Sequence, residues 1–265
     1  MKPANKALAL LSVALITASA EDNKPGGQEV KTFLSCPIVR DTKTVPCWLA
    51  ENQGETYYLG IQADQAAAFQ PPQLLHKVLV EGSVKTGERI CGGVVLSPIK
   101  ISVMPEIDYS CNLMLPAVDE YAVPFAERGP GPNNPAPRAA GPRPVQEEPK
   151  PPFPVREFTL YYDFDAERAG RMARVITEAM TYAKAAHAKQ IQIQGYRAAV
   201  RLSDGTNLEE YPWIAQHRAE VMAETLRDLG IPASTISSAW KGEPDTGVGS
   251  DAYLKRRLTI TVIPD

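Results

Sequence analysis

Between residues 116 and 156 the chain cannot build a compact core. Half of its 24 prolines fall there, in runs such as Gly129-Pro130-Gly131-Pro132 and Pro149-Lys150-Pro151-Pro152. Proline lacks a backbone N–H and fixes φ, so this stretch fits neither a helix interior nor a sheet interior and prefers extended polyproline II. It divides the chain into two blocks, 31–115 and 157–265, each of which must bury a core of its own. About 40 residues at ~3.1 Å each would reach on the order of 100 Å if fully extended. The stretch therefore reads as a linker, either idle or tethering two parts of a cell envelope.

The N-terminus sets the compartment. Lys2 and Lys6 precede an apolar run from Ala7 to Ala18, and Ala18-Ser19-Ala20 supplies a small-x-small cleavage pattern. This predicts a signal peptide over residues 1–20. The run falls short of the ~20 apolar residues that a spanning helix needs, and no other segment approaches that length. No Cys stands at the cleavage point to carry a lipid. The expected location is the periplasm, with outer-membrane association left open. Lys+Arg total 28 against 31 Asp+Glu. Such a balance has no basic stripe for nucleic acid.

All four cysteines, Cys36, Cys47, Cys91 and Cys111, lie in the first block. An even count in an exported chain predicts two disulfides, and the spacings are too wide for a zinc site. Three connectivities are open. Cys36–Cys47 with Cys91–Cys111 is favoured, because the first pair brackets an apparent hairpin. Five β runs are expected: 33–39, 45–50, 56–61, 77–84 and 91–103, with a short helix between the third and fourth, interrupted at Pro71-Pro72. Pro98 should mark an edge or a bend. Three strands, a helix and two strands are the order of an OB-like barrel, with Gly82 and Gly92-Gly93 as its bends. A generic five-stranded sheet fits the same pattern.

The second block switches to βαβαβ, making the whole chain α+β. Glu157 to Asp163 reads as a strand. Ala166 to Ala188 reads as a helix with Ala169, Met172, Ala173, Ile176, Ala179, Met180 and Ala183 at three- and four-residue steps. Gln190-Ile191-Gln192-Ile193-Gln194 alternates as a strand with one wet face. Pro212 opens a second helix with an inward stripe of Ala215, Ala219, Met222, Leu226 and Leu229, closed by Gly230. Residues 258–262 form the last strand.

The motifs of this block resemble the OmpA-like C-terminal domain family. Tyr161-Tyr162-Asp163-Phe164-Asp165 is similar to its Y-F-D-F-D opening. Ile191-x-Ile193-x-Gly195-Tyr196 resembles its second strand end. Ile214-Ala215-Gln216-His217-Arg218-Ala219 stands where the family writes L-S-x-x-R-A. Leu229-Gly230-Ile231, Lys241-Gly242-Glu243-Pro244 and Lys255-Arg256-Arg257-Leu258 follow in family order. The resemblance covers about the last 108 residues, 157–265, and implies an α/β sandwich that grips the diaminopimelate of a peptidoglycan stem peptide. A zwitterionic ligand end suits a guanidinium that forks onto its carboxylate and an Asp that takes its ammonium.

By that resemblance Arg218 is the guanidinium, expected to face an open pocket. The Asp position falls on Ala198, and the Thr before it on Arg197. The loop to the helix is also about five residues longer than usual. Asp204, 14 residues before Arg218, could stand in by folding back, or could be ordinary turn chemistry. Arg197 and Arg201 add positive charge beside the cleft. Arg256 and Arg257 flank the last strand, and the family's Arg pair helps build the cleft wall. His217 reads as a surface or packing residue, and Trp213 and Trp240 as core or rim aromatics with glycan stacking as the rival role. The candidate ligand set is Arg218, Asp204, Arg197 and Arg257.

Two functions compete. One is a non-catalytic envelope protein associated with peptidoglycan. The other is a scaffold for envelope proteins whose OmpA-like site has been lost. Catalysis is not expected: His76, His187 and His217 accompany no nucleophile motif, and no metal or cofactor motif appears.

Overall fold

The computed structural model describes residues 29–62, 71–118, 120, 121, 123, 149–170 and 172–265. The expected signal peptide, most of the short helix after the third strand and the middle of the linker lie outside them. Among the described residues the chain is mixed α/β, with two sheets and two α-helices. No helix among the described residues is long and apolar enough to cross a membrane.

The first sheet runs from β1 (Val30–Ser35) and β2 (Pro37–Arg40) through β3 (Cys47–Asn52), β4 (Glu55–Ile61), β5 (His76–Ile90) and β6 (Gly93–Ile107) to β7 (Leu113–Leu115). Its order is β1-β5-β6-β4-β3-β2-β7. β1 and β2 are one run broken only at Cys36. The first half pairs with β5 and the second with β3, so the path returns to its own starting strand. Seven strands replace the expected five because this run is split in two and β7 adds to it, parallel to β2. β6 passes through Pro98, and the register shift opposite Gly82–Val84 absorbs the bend. Phe33, Val39, Trp48, Tyr57, Leu59, Val78, Val80, Leu96 and Ile101 fill the interior.

The disulfides correct the favoured pairing: Cys36 bonds Cys111, and Cys47 bonds Cys91. In the β2–β3 hairpin Pro37 faces Ala50 and Arg40 faces Cys47, so Cys36 and Cys47 lie at opposite ends of the hairpin. Cys91 and Cys111 are likewise held apart by the 15 residues of β6. A strand separates its ends by roughly 3.3 Å per residue, whereas a disulfide needs Cα atoms within about 7 Å.

The second sheet comprises β8 (Arg156–Tyr161), β9 (Gln190–Arg201), β10 (Asn207–Glu209), β11 (Ile236–Gly247) and β12 (Arg257–Ile263). β8, β12 and β9 are antiparallel neighbours, β11 adds parallel to β9, and β10 pairs with the far end of β9. α1 (Met172–Ala185) and α2 (Ile214–Asp228) cover one face. Ile191, Ile193, Phe158, Leu160, Leu258, Ile260 and Val262 pack there against Ile176, Met180, Ala219, Met222 and Leu226. α1 is shorter than its periodic segment. β10 and β11 were not expected. The Gly, Ser and Pro of β11 carry little strand signal, and parallel pairing to β9 supplies its geometry.

Gly195 lets α2 sit close. A Cβ there would stand 2.1 Å from the Ala215 carbonyl oxygen, so no side chain fits while the first turn of α2 keeps its place.

The two halves dock through buried contacts. Glu81 of β5 and Arg256, just before β12, form a forked ion pair with bonds of 3.1 and 2.7 Å, both side chains fully buried. Arg256 also donates to the Tyr162 carbonyl. Leu79 and Met104 from the first sheet pack with Val200 of the second sheet, with Phe164 in the turn after β8 and with Ala252 in the turn before β12. Lys100 reaches Asp163 at 2.6 Å. The Thr32 N–H donates to Ser203 Oγ at 2.9 Å, and the Ser203 N–H donates back to the Thr32 carbonyl at 2.7 Å. The described residues on either side of the linker thus belong to one docked body.

Gly195→Ala is expected to cost about 1–3 kcal/mol or more through forced displacement of α2, read by urea unfolding. Arg256→Ala should cost about 3–5 kcal/mol, because it strands a buried carboxylate. Replacing Glu81 and Arg256 together by Leu and Met should recover most of that loss. Equal losses in the single and double variants would contradict the assignment.

Candidate functional site

Arg218 lies on the inward face of α2, three residues after Ala215 and four before Met222. It is 1% exposed, not open to solvent as the family pattern led us to expect. A guanidinium has five N–H donors, and each has a partner inside the protein. Nε donates to the Ala166 carbonyl at 3.0 Å. Nη1 donates to the Tyr196 carbonyl at 3.2 Å and to Glu210 Oε2 at 3.3 Å. Nη2 donates to the Ala166 carbonyl at 2.8 Å and to Glu210 Oε1 at 2.7 Å. The Tyr162 ring covers the guanidinium at 4.3 Å. Burial pushes the Tyr162 hydroxyl up to about 12, partly opposed by the Arg218 charge.

The carboxylate on Arg218 thus comes from Glu210, eight residues before it in the chain. Glu210 is itself buried, and it also accepts from the backbone N–H groups of Ala198 at 2.8 Å and Asp165 at 3.1 Å. Ala198, at the family's Asp position, is completely buried and contributes only backbone groups, this N–H and a carbonyl that accepts from the Glu210 N–H at 2.9 Å. The expected pairing of Arg218 with Asp204 does not form. Asp204 sits in an exposed turn and accepts from the N–H and hydroxyl of Thr206. Those bonds hold its carboxyl below the usual carboxylate range, the Thr206 hydroxyl being the main cause.

Arg197 is buried too. It donates to the Gly242 and Glu210 carbonyls and pairs with Glu209 at 3.3 Å. Arg197 and Arg218 therefore converge on Glu210, one on its backbone and one on its side chain. Arg257 belongs to a different cluster on the opposite face of the sheet. Its guanidinium lies 4.0 Å over the Tyr196 ring and pairs with Asp245 at 3.3 Å, and Lys241 holds the same Asp245. Arg256 serves the domain interface. Trp213 and Trp240 are exposed. Trp213 stacks on Tyr211 at 5.3 Å and meets the His217 ring edge-to-face, and His217 pairs with Glu167.

Sequence reasoning missed Asp165 and Glu210. Asp165 accepts from the Tyr211 N–H at 2.7 Å. Burial, reinforced by the negative charges of Glu210 and Glu106, raises its carboxyl to about 7. No local signal marks Glu210, which enters the network only because β10 returns alongside β9. Arg218 did carry a signal: its spacing from Ala215 and Met222 puts it on the buried stripe of α2.

No family model matches the chain, and no curated protein matches it. Among solved structures, it is similar to the OmpA-like domain of FopA1 from Francisella tularensis subsp. tularensis SCHU S4. The likeness has 12% identity and a TM-score of 0.32, over 42% of this chain and 73% of that one.

Asp165, neutral up to about pH 7 in the folded chain and up to about pH 4 unfolded, favours folding most in acid. That contribution is lost as pH rises from about 4 to about 7. Asp165→Asn, which keeps an acceptor for Tyr211, should melt higher than the parent at pH 8 and match it below pH 4. Parallel melting curves across the range would contradict this.

Proposed function

We infer that this chain is a non-catalytic, exported envelope protein in which an OB-like barrel is docked on an OmpA-like domain, and that it acts as an interaction scaffold. The closed path β1-β5-β6-β4-β3-β2, with β4 and β6 parallel, supports the OB-like reading. The order β8-β12-β9-β11, with α1 following β8 and α2 joining β9 to β11, supports the OmpA-like reading alongside the motifs at Tyr161–Asp165 and Ile214–Ala219. Two disulfides fit an oxidising compartment such as the periplasm.

The observation that carries the scaffold reading over the peptidoglycan reading is the filled guanidinium. Holding a stem-peptide carboxylate requires free donors on Arg218, and all five are used internally. Displacing Glu210 would bury an unpaired carboxylate, which costs several kcal/mol. The long loop after β9, unusual against the family pattern, carries Ser203 onto β1 and so serves the interface between the halves. The barrel also exposes large apolar side chains suited to a protein partner: Ile107 at 60%, Tyr109 at 80% and Met114 at 65%. Ile107 and Tyr109 line a groove of about 570 Å³ with Leu34 and Met104.

Calorimetric titration of the intact protein with a soluble diaminopimelate-containing stem peptide should give no saturable heat. Saturable one-to-one binding, competed by free diaminopimelate, would restore the peptidoglycan reading.

A further inference from the structure

The helix-free face of the second sheet has a composition that the scaffold reading does not use. Register places its outward side chains in rows that cross four strands. Glu157, Thr261, Gln192 and Ser237 form one row. Thr159, Thr259, Gln194 and Ala239 form the next. Beyond them stand Tyr161, Arg257, Tyr196 and Lys241. Protein surfaces carry charge at roughly a quarter to a third of their positions. In the first two rows Glu157, at one corner, is the single charged residue among eight. Six of the other seven carry an amide or hydroxyl, able to donate and accept, and all of these but the buried Thr259 are at least partly exposed. Gln192 donates to Gln190 along β9, and Gln190 donates across to Ser237 on β11. Tyr161, exposed and edge-to-face with Tyr253 at 5.8 Å, adds an aromatic ring at one end.

We propose that this face binds an uncharged polysaccharide strand. Sugar hydroxyls both donate and accept, as the Thr, Ser and Gln groups do, and the exposed Tyr161 offers a surface for the apolar side of a sugar ring. Strands hold these groups at fixed spacing, so little entropy is lost when a stiff, flat polymer lies across them. The face is matched to neutrality. An anionic polymer would call for cations in the central rows, and a protein partner would call for apolar or aromatic residues at the centre. The surface is separate from Arg218 and does not depend on the state of that site.

The test uses the intact protein with the N-acetylglucosamine hexamer in calorimetry, and gel retardation in dextran, in hydroxyethylcellulose and in hyaluronate. Saturable hexamer binding that added salt leaves unchanged, with stronger retardation by a neutral polymer than by hyaluronate, is expected. The double variant Gln192→Lys with Ser237→Lys alters two exposed positions and should melt as the parent does while losing at least tenfold in affinity. No saturable binding to the hexamer, unchanged affinity in the double variant, or salt-sensitive preference for hyaluronate overturns the proposal. Stem-peptide binding is measured separately, so failure here leaves the scaffold reading standing, and the reverse holds.

Discussion

The Glu210 carboxylate organises one end of the second domain. It joins the N–H of Ala198 on β9, the N–H of Asp165 in the turn after β8 and the guanidinium of Arg218 on α2. Three elements far apart in sequence meet on one anion, which no water reaches. In so low a dielectric each bond is strong, and loss of any partner leaves a charge that cannot be solvated. Asp165 is drawn into the same site. Because two carboxylates cannot both ionise cheaply there, one is pushed toward neutrality.

A second buried Arg–Glu pair does comparable work between the domains. Glu81 belongs to a β strand that otherwise reads as half-buried hydrophobic, and Arg256 precedes the last strand. The two side chains bond each other across the halves, and Arg256 adds a bond to the Tyr162 carbonyl of its own half. The apolar contacts of Leu79 and Met104 with Phe164, Val200 and Ala252 supply area, while the ion pair and the Thr32–Ser203 exchange fix register. A buried polar pair of this kind specifies one arrangement more than it adds stability. The same family-like residues thus take structural duties: Arg218 inside a domain, Arg256 between domains.

Sequence patterning described most of the elements and little of the site. The alternation in Gln190–Gln194 located β9 and identified its wet face, and the three- and four-residue apolar steps located both helices. The Gly195 motif was legible because close packing of α2 leaves no room for a Cβ. By contrast, β11 has a weak strand signal and exists because β9 provides a partner. The disulfide pairing followed from which strand ends the closed sheet brings together, not from proximity in sequence. The choice of Glu210 over Asp204 as the partner of Arg218 likewise depends on a hairpin return at β10.

By itself the sequence determined two cores, an even set of cysteines, the helix and strand periods, and a chain of motifs similar to one family. These depend on local spacing, which the chain carries in its order of residues. Only the tertiary structure decided whether Arg218 faces solvent, which cysteines bond, and whether the two cores stand apart or dock. Those outcomes depend on which distant groups compete for the same donor or the same buried surface, and that competition is resolved only once the chain has folded.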